Sequence, residues 1–235
     1  MNKQLNCIFI IVILLIFCTN DLFAQPSLSK NEIYTFWVKM HSENDKGDYY
    51  KRFAAYDESL NQKVTIVIEE IKKNNIDTLI GLVNSYSGLI DTDSCRAGLY
   101  PSDVYLFWVK SNRFFSKRIT NNCVFEALEF GSFPAIFYYF QNAATIRNEY
   151  ILPVIFSARN EGGKVKLSGA SVNHEKRYSF FLILDNEHKA VDFSESDISS
   201  KESLFYEDNR STSLYKLFCL MEEKIHEIYA SSSEE

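Results

Sequence analysis

The chain has 235 residues and carries 25 lysines and arginines against 31 aspartates and glutamates, a formal net charge of −6. This acidic balance argues against a general nucleic-acid binder, because such proteins neutralise phosphates with an excess of lysine and arginine. Aromatic residues make up 15% of the chain, enough to permit a sugar- or peptide-binding face, although most of them fall on predicted core stripes.

The amino terminus has the pattern of an export signal. Lys3 supplies a positive start, residues 7–18 form an unbroken apolar run, and Ala24 is a small residue placed for cleavage. The run is shorter than the roughly 20 residues that a membrane-spanning helix needs. The pattern predicts a signal peptide over residues 1–24 and a single exported domain over residues 25–235, periplasmic or secreted if the source is bacterial.

Two alternatives to cleavage after Ala24 stay open. One is a lipoprotein processed at Cys18, but the bulky Phe17 stands where lipoprotein signals generally carry a small residue. The other is an uncleaved anchor. After cleavage, no membrane span is expected in the rest of the chain.

Two amphipathic helices are predicted next. Ser29 and Glu32 form a capping-box pattern that opens a helix over residues 30–42. Its apolar stripe consists of Ile33, Phe36, Trp37 and Met40. A second helix is marked by apolar residues at the same spacing, namely Leu60, Val64, Val67, Ile68 and Ile71. The apolar pattern over residues 76–83 fits either a helix or a strand.

A hairpin and a helix follow. Residues 104–109 and 113–119 read as strands around a two-residue turn, with Trp108 facing Phe115. The same register puts Val104 opposite Ile119. Pro134 then opens a helix over residues 132–145, expected to pack on the sheet through the pattern of Phe133, Ile136, Phe137 and Phe140.

The pattern in the last third of the chain predicts four further strands and a terminal helix. Four strands joined by short connections indicate an antiparallel meander; they cover residues 151–158, 164–172, 177–184 and 189–193. Six apolar residues at helical spacing mark the terminal helix: Leu214, Leu217, Phe218, Met221, Ile225 and Ile228. Leu217 and Phe218 are expected to be buried, with Cys219 and Glu223 more exposed.

These elements predict an α+β fold. An antiparallel β-sheet, made of the hairpin and the meander, packs with amphipathic helices from the amino terminus, the middle and the carboxyl terminus of the chain.

Three cysteines remain after cleavage, so at least one thiol stays outside any intrachain bond. Cys95 and Cys123 flank the first hairpin, and a disulfide between them is predicted, leaving Cys219 free. Simple extension of the hairpin would put residue 100, not Cys95, opposite Cys123, so the chain between residues 98 and 101 must fold back. Free thiols are the alternative.

A polar cluster is expected on one flank of the terminal helix, consisting of Cys219, Glu222, Glu223 and His226. Thiolate, carboxylate and imidazole are transition-metal ligands, and the same groups can activate a thiol. A single helix supplies too few ligands for a metal site, so a polar helix face is the simpler interpretation. No metal or cofactor is predicted.

A basic and aromatic surface is expected on the first hairpin, formed by Lys110, Arg113, Phe114, Lys117 and Arg118. Charge with interleaved rings can bind an anionic glycan or a single-stranded nucleic acid. The favoured interpretation is an edge hairpin that its charges protect from aggregation.

No catalytic residue is predicted. His41, His174 and His188 are scattered along the chain, and no nucleophile elbow, zinc-binding helix or glycine-rich phosphate loop accompanies them. We therefore expect a non-catalytic domain that binds or inhibits an extracytoplasmic protein, peptide or glycan. The alternatives are a secreted hydrolase, which would need a pocket with two ionisable groups within hydrogen-bond reach, and a structural envelope-associated subunit.

Overall fold

The computed structural model describes residues 27–44, 57–76, 78–86, 91–97, 100–170, 175–184 and 187–229. The predicted signal peptide, His174 and the side chains of His41 and His188 lie outside these described residues.

Within this part of the chain there are six helices and eight strands. The helices are α1 (Lys30–Asn44), α2 (Glu58–Lys72), α3 (Pro134–Asn148), α4 (Glu195–Ser199), α5 (Tyr206–Ser211) and α6 (Ser213–Tyr229). The strands are β1 (Thr78–Tyr86), β2 (Ser102–Lys110), β3 (Arg113–Thr120), β4 (Leu128–Phe130), β5 (Ile155–Glu161), β6 (Lys164–Gly169), β7 (Lys176–Leu184) and β8 (Glu187–Ser194). The α+β class is thus confirmed, and the ambiguous segment before Tyr86 is a strand.

Six strands form one antiparallel sheet in the order β4-β3-β2-β1-β7-β8. The predicted register of the first hairpin is confirmed, because Trp108 pairs with Phe115 and Val104 with Ile119. Ser111 and Asn112 both have positive φ, 51° and 61°. Two such residues match the twist of the flanking strands and allow the tight turn.

The predicted four-stranded meander is divided between two sheets. β7 pairs with β1 in the large sheet and with β8 on its other side. β5 and β6 form a separate two-stranded sheet, joined by Gly162 and Gly163. Both glycines have positive φ, 59° and 81°, which a side chain would disfavour.

The large sheet is covered on both faces, so its central strands are buried almost throughout. On one face, the α2 side, α2 packs on alternate strand residues that include Leu79, Leu106 and Ile183. On the other, the α6 side, α3 and α6 pack on residues such as Leu82 and Phe180. Burial on both faces explains why β2 shows no alternation of apolar and polar residues.

The sequence predicts that the amino-terminal helix packs on the large sheet, but helix α1 packs elsewhere. Its capping box is present, with Glu32 accepting a bond from the Ser29 backbone at 2.8 Å. Its buried residue Ile33 packs with Leu152 and Phe205 beside the small sheet. Of the predicted stripe, Phe36 and Trp37 are half-buried and Met40 is 42% exposed.

Helix α3 packs on the sheet by only part of the predicted face. Phe133 and Ile136 are buried as predicted and Tyr139 is buried with them, whereas Phe137 and Phe140 are 55% and 48% exposed. A consecutive aromatic run gives no clear helical period, so only the packing decides which rings turn inward. Among the described residues, none of the helices is long and apolar enough to cross a membrane.

Candidate functional site

A polar cavity of about 230 Å³ opens on the α6 side of the sheet, where the apolar core ends. We call it the polar pocket. Four strands and α6 supply its lining, which consists of Asn84, Tyr86, Tyr105, Arg118, Lys176, Glu222, Ile225, His226 and Tyr229.

Strand alternation positions the sheet residues of the polar pocket. Ile80 and Leu82 in β1 belong to the α6-side core, and the same face of this strand continues to Asn84 and Tyr86. Tyr86 lies directly opposite Lys176 on β7. The face is therefore apolar under the middle of α6 and polar where the strands end.

An ion pair crosses the pocket between strand and helix. The Lys176 Nζ atom lies 3.1 Å from Glu222 Oε2, and Asn84 Nδ2 donates to Glu222 Oε1 at 2.9 Å. Burial alone would lower the pKa of Lys176, but the Glu222 carboxylate and nearby phenols outweigh it, so this pKa lies above its ordinary value. The ammonium group also lies 4.7 Å from the centroid of the Tyr178 ring, a cation–π contact.

Asn84 carries an acceptor that the surrounding protein does not use. The residue is 5% exposed, and its Oδ1 atom has no hydrogen-bond donor among the described residues. Turning the amide over would place Oδ1 against the Glu222 carboxylate, so the bond from Nδ2 fixes the orientation. A buried acceptor without a donor costs about 1–3 kcal/mol, and a bound group that donates a hydrogen bond would recover that energy.

Arg118 also lines the pocket, and the carboxylate of Asp103 fixes its position. Its Nε and Nη2 atoms donate to Oδ1 of the buried Asp103 at 2.8 and 2.7 Å, and Arg96 Nη1 lies 3.4 Å from Asp103 Oδ2. Arg96 follows Cys95, which the disulfide joins to Cys123. In the described part of the chain no hydrogen bond is made by Arg118 Nη1, and the guanidinium lies 5.1 Å from the centroid of the Phe125 ring.

Two tyrosines complete the wall. The ring centroids of Tyr105 and Tyr229 lie 5.3 Å apart, and the Tyr229 hydroxyl is 2.9 Å from Ser116 Oγ. Burial is the main cause that raises the pKa of both phenols above the ordinary value. They stay neutral at physiological pH and offer the pocket flat apolar surfaces with polar tips.

The predicted polar cluster does not gather as a unit. Glu222 turns into the polar pocket and His226 lies at its border, but Cys219 and Glu223 are exposed. In the described residues, no group of three or more His, Cys, Asp or Glu side chains is placed to hold a metal ion. The helical period explains why the cluster divides, because residues four apart share one side of a helix. Glu222 and His226 lie on the side of α6 that borders the pocket, and Cys219 and Glu223 lie on a side that is exposed to solvent.

The predicted basic and aromatic surface is also divided. Successive side chains of a strand point to opposite faces, so Arg113 and Lys117 lie on the α2 side with Lys110, while Arg118 lines the polar pocket and Phe114 packs with the α6-side core. The edge of the hairpin is covered in part, because β4 pairs with residues 114–116 of β3. Arg113, Lys117 and Arg118 lie outside that pairing, so edge protection stays a possible role of their charges.

The predicted disulfide is confirmed. Cys95 and Cys123 are bonded with a Cα separation of 5.1 Å, and Cys219 is a free thiol. The segment before the hairpin folds back beside β3, where Asn122 N donates to Cys95 O at 2.9 Å and Thr120 Oγ1 donates to the same carbonyl at 2.7 Å.

Five pocket residues were missed by the sequence interpretation: Asn84, Tyr86, Tyr105, Lys176 and Tyr229. A signal existed in β1, since the alternation that begins at Ile80 continues through Asn84 and Tyr86. The other residues belong to segments distant in sequence, and nothing local indicates that they meet. Comparisons of the chain with protein-family models, curated proteins and solved structures gave no match.

Proposed function

We propose that the chain is an exported, non-catalytic binding protein whose polar pocket takes one small polyhydroxylated group, such as a sugar residue. The observation that carries the proposal is the buried Asn84 Oδ1 atom, which lacks a protein donor. A ligand hydroxyl can donate to Oδ1 and also accept a bond, for which Arg118 Nη1 is a candidate donor. The Tyr105 and Tyr229 rings suit the apolar face of a sugar ring.

The size of the polar pocket limits the ligand. Pockets that bury drug-sized ligands usually measure about 300–1,000 Å³, and this one measures about 230 Å³. A single sugar residue, free or at the end of a glycan, is therefore favoured over a peptide or a large cofactor.

The occupied Glu222 carboxylate favours binding over hydrolysis. Both of its oxygens already accept bonds, from Asn84 and from Lys176. His226 is exposed and no described residue bonds to it. The pocket lining contains no serine, threonine or cysteine, so it lacks the hydroxyl or thiol nucleophile of acyl-transferring hydrolases. Glu222 is the one carboxylate of that lining, whereas glycoside hydrolysis generally uses a pair of carboxylates.

The proposal is tested by isothermal titration of the exported protein with a panel of neutral, amino and acidic monosaccharides. At least one sugar should bind, and Asn84→Ala should weaken it about tenfold, which corresponds to one neutral hydrogen bond. The matched control is Asn61→Ala, which truncates another buried asparagine on α2. His226→Ala changes an exposed lining residue and should weaken binding a few-fold without affecting folding.

Two results would reject the binding proposal. One is a panel in which no sugar binds, and the other is a sugar that binds equally to the parent, Asn84→Ala and His226→Ala proteins.

A hydrolase is the second candidate, because Lys176 and Glu222 place two ionisable groups 3.1 Å apart in one cavity. Chromogenic glycosides and esters test it directly. The binding proposal expects no turnover, whereas turnover that disappears in Glu222→Gln would establish the hydrolase instead.

Export is supported by the disulfide, which forms and persists in oxidising compartments. Intact-mass measurement of the protein recovered after export should give a chain that begins at Gln25. A chain that begins at Met1, or a lipid-modified one that begins at Cys18, would contradict the proposed processing.

A further inference from the structure

A second cavity, of about 400 Å³, lies on the α2 side of the sheet, between α2 and the β2–β3 hairpin. We call it the basic trough. Its lining includes Glu70, Asn74, Trp108, Lys110, Arg113 and Lys117. The sheet separates it from the polar pocket.

The floor of the basic trough is apolar. Ile71, Ile76 and Trp108 belong to the α2-side core, and the Trp108 and Phe115 rings stack at a centroid distance of 5.8 Å. The Arg113 guanidinium lies 5.6 Å from the Phe115 centroid. Phe115 is thus engaged by two neighbours, unlike the open aromatic platforms that stack bases or sugars.

The rim of the basic trough carries three cations against one carboxylate, Glu70, in a chain whose net charge is −6. Lys110 bonds to the neutral amide of Asn74 at 3.2 Å, and Arg113 pairs with Glu129. Lys117 is half-buried and has no hydrogen-bond or ion-pair partner among the described residues. Lys117 is therefore the cation of this rim that the described residues leave without a counter-charge.

The register makes this charge costly to keep. Lys110 and Arg113 lie directly opposite each other in the β2–β3 pairing, and like charges in that position destabilise a sheet. β4 pairs only with residues 114–116 of β3, and the ion pair of Arg113 with Glu129 links these two strands. Lys117 has no such link, and a half-buried charge without a structural partner among the described residues is typical of a functional site.

We propose that the basic trough binds an amphiphilic anion, with an acidic head group at Lys117 and Arg113 and a short apolar body on the Trp108 floor. Both parts of the ligand follow from the lining. A free inorganic anion would leave the apolar floor in water, and a neutral apolar molecule would leave the cations without a counter-charge. This inference is independent of the function proposed for the polar pocket.

The test is isothermal titration of the exported protein with decanoate, kept below the concentration at which it forms micelles. Acetate supplies the head group alone and decan-1-ol supplies the apolar body alone. Decanoate should bind at least tenfold more tightly than either fragment.

Variants assign the binding to the basic trough. Lys117→Met keeps a flexible chain of similar length but removes the charge. The affinity for decanoate should fall at least fivefold, and the affinity for decan-1-ol should stay unchanged. Lys164→Met makes the same change at an exposed lysine of the small sheet and serves as the matched control. Glu70→Gln removes the carboxylate that lines the basic trough and should strengthen decanoate binding.

Three outcomes would overturn the inference: decanoate that does not bind, decanoate that binds equally to the parent and Lys117→Met proteins, and acetate or decan-1-ol that binds as tightly as decanoate.

Discussion

The two faces of the large sheet are built from the same strands, but the cavities at their margins are lined by different kinds of side chain. The α2-side cluster is mainly aliphatic and, within the described residues, contains no tyrosine. The α6-side cluster includes Tyr105, Tyr139 and Tyr178 among its buried residues. One side opens into a trough whose Lys117 has no counter-charge among the described residues, and the other opens into a pocket whose Lys176–Glu222 pair is neutral as a whole.

The difference shows how a strand serves two sites at once. Alternate residues of β1, β2 and β3 face opposite sides of the sheet. Polar residues that line the cavity on one face can therefore be replaced without changing the residues that line the cavity on the other face. Arg118 and Lys117 are adjacent in sequence, yet one lines the polar pocket and the other the basic trough. Substitutions should therefore affect the two sides separately, and the following predictions test this.

The largest effect is expected from Phe218→Ala on the α6 side. Phe218 is 6% exposed and contacts three aromatic rings of the sheet, namely Tyr178, Phe180 and Phe193. Lost burial and the remaining cavity should lower the free energy of unfolding by about 3–5 kcal/mol. Phe137→Ala, at an exposed position of α3, should cost about 1 kcal/mol or less. Urea unfolding compares them, and equal losses would mean that α6 does not dock as described.

Removal of the disulfide should have the next largest effect. The bond closes a loop with a sequence separation of 28 residues, and the chain-entropy relation gives about 3–4 kcal/mol for a loop of that size. Replacing Cys95 and Cys123 together by serine should also loosen Arg96 and Arg118, which share Asp103. We expect weaker sugar binding at the polar pocket and unchanged decanoate binding at the basic trough, both measured calorimetrically. Equal weakening at the two cavities would show that they are not independent.

Gly81→Ala tests the α2 side of the central strand. Gly81 is paired with Phe181 on the neighbouring strand β7, and a Cβ atom at Gly81 would lie 1.8 Å from the end of the Phe181 ring. Overpacking should cost about 1–3 kcal/mol. Gly131→Ala is the control, because no atom lies within 4 Å of an added Cβ there.

Thermal or urea unfolding of the Gly81→Ala chain with Phe181→Leu added would complete a double-mutant cycle. The second change should recover part of the lost stability. If Phe181→Leu only adds its own cost, the ring of Phe181 is not the obstacle.

The smallest effect is a loss of stability at alkaline pH that originates on the α6 side. Burial is the main cause that raises the pKa of Tyr178 to about 12, above the value of about 10 for an unfolded chain. The folded protein therefore holds the phenolic proton more tightly, so this contribution is present below about pH 10 and is lost as the pH rises toward about 12. The raised pKa of Lys176 acts in the same direction.

Urea unfolding measured between about pH 9 and 12 checks this prediction. Tyr178→Phe should show a shallower decline in stability than the parent protein. An unchanged slope would mean that ionisation of this phenol does not contribute.

Local patterns predicted the elements whose signal lies in neighbouring residues. The capping box at Ser29 and the tight turn at Ser111 and Asn112 are satisfied within a few residues of the chain, and both are present. The buried stripe of α6 follows the helical period through Leu217 and Phe218. The pattern failed at α3, where consecutive aromatics leave the buried face undetermined and Phe137 turns outward.

The candidate sites were less predictable than the fold. Glu222 and Arg118 were both singled out, but in different hypothetical clusters, whereas the structure brings them to one cavity. The basic residues of the hairpin were grouped by their nearness in sequence. The alternation of β3 then separated them, because successive side chains of a strand point to opposite faces of the sheet.

The sequence by itself determined the α+β class, the first hairpin with its register and the amphipathic terminal helix, since each depends on a period or a turn. It favoured the Cys95–Cys123 disulfide, but that bond also required the chain before β2 to fold back. The tertiary structure alone decided that β7 pairs with β1 rather than with β6, and that Asn84 on β1 meets Glu222 on α6 across a sequence separation of 138 residues. Contacts over such distances are set by how complete apolar surfaces pack together, and no local pattern records that choice.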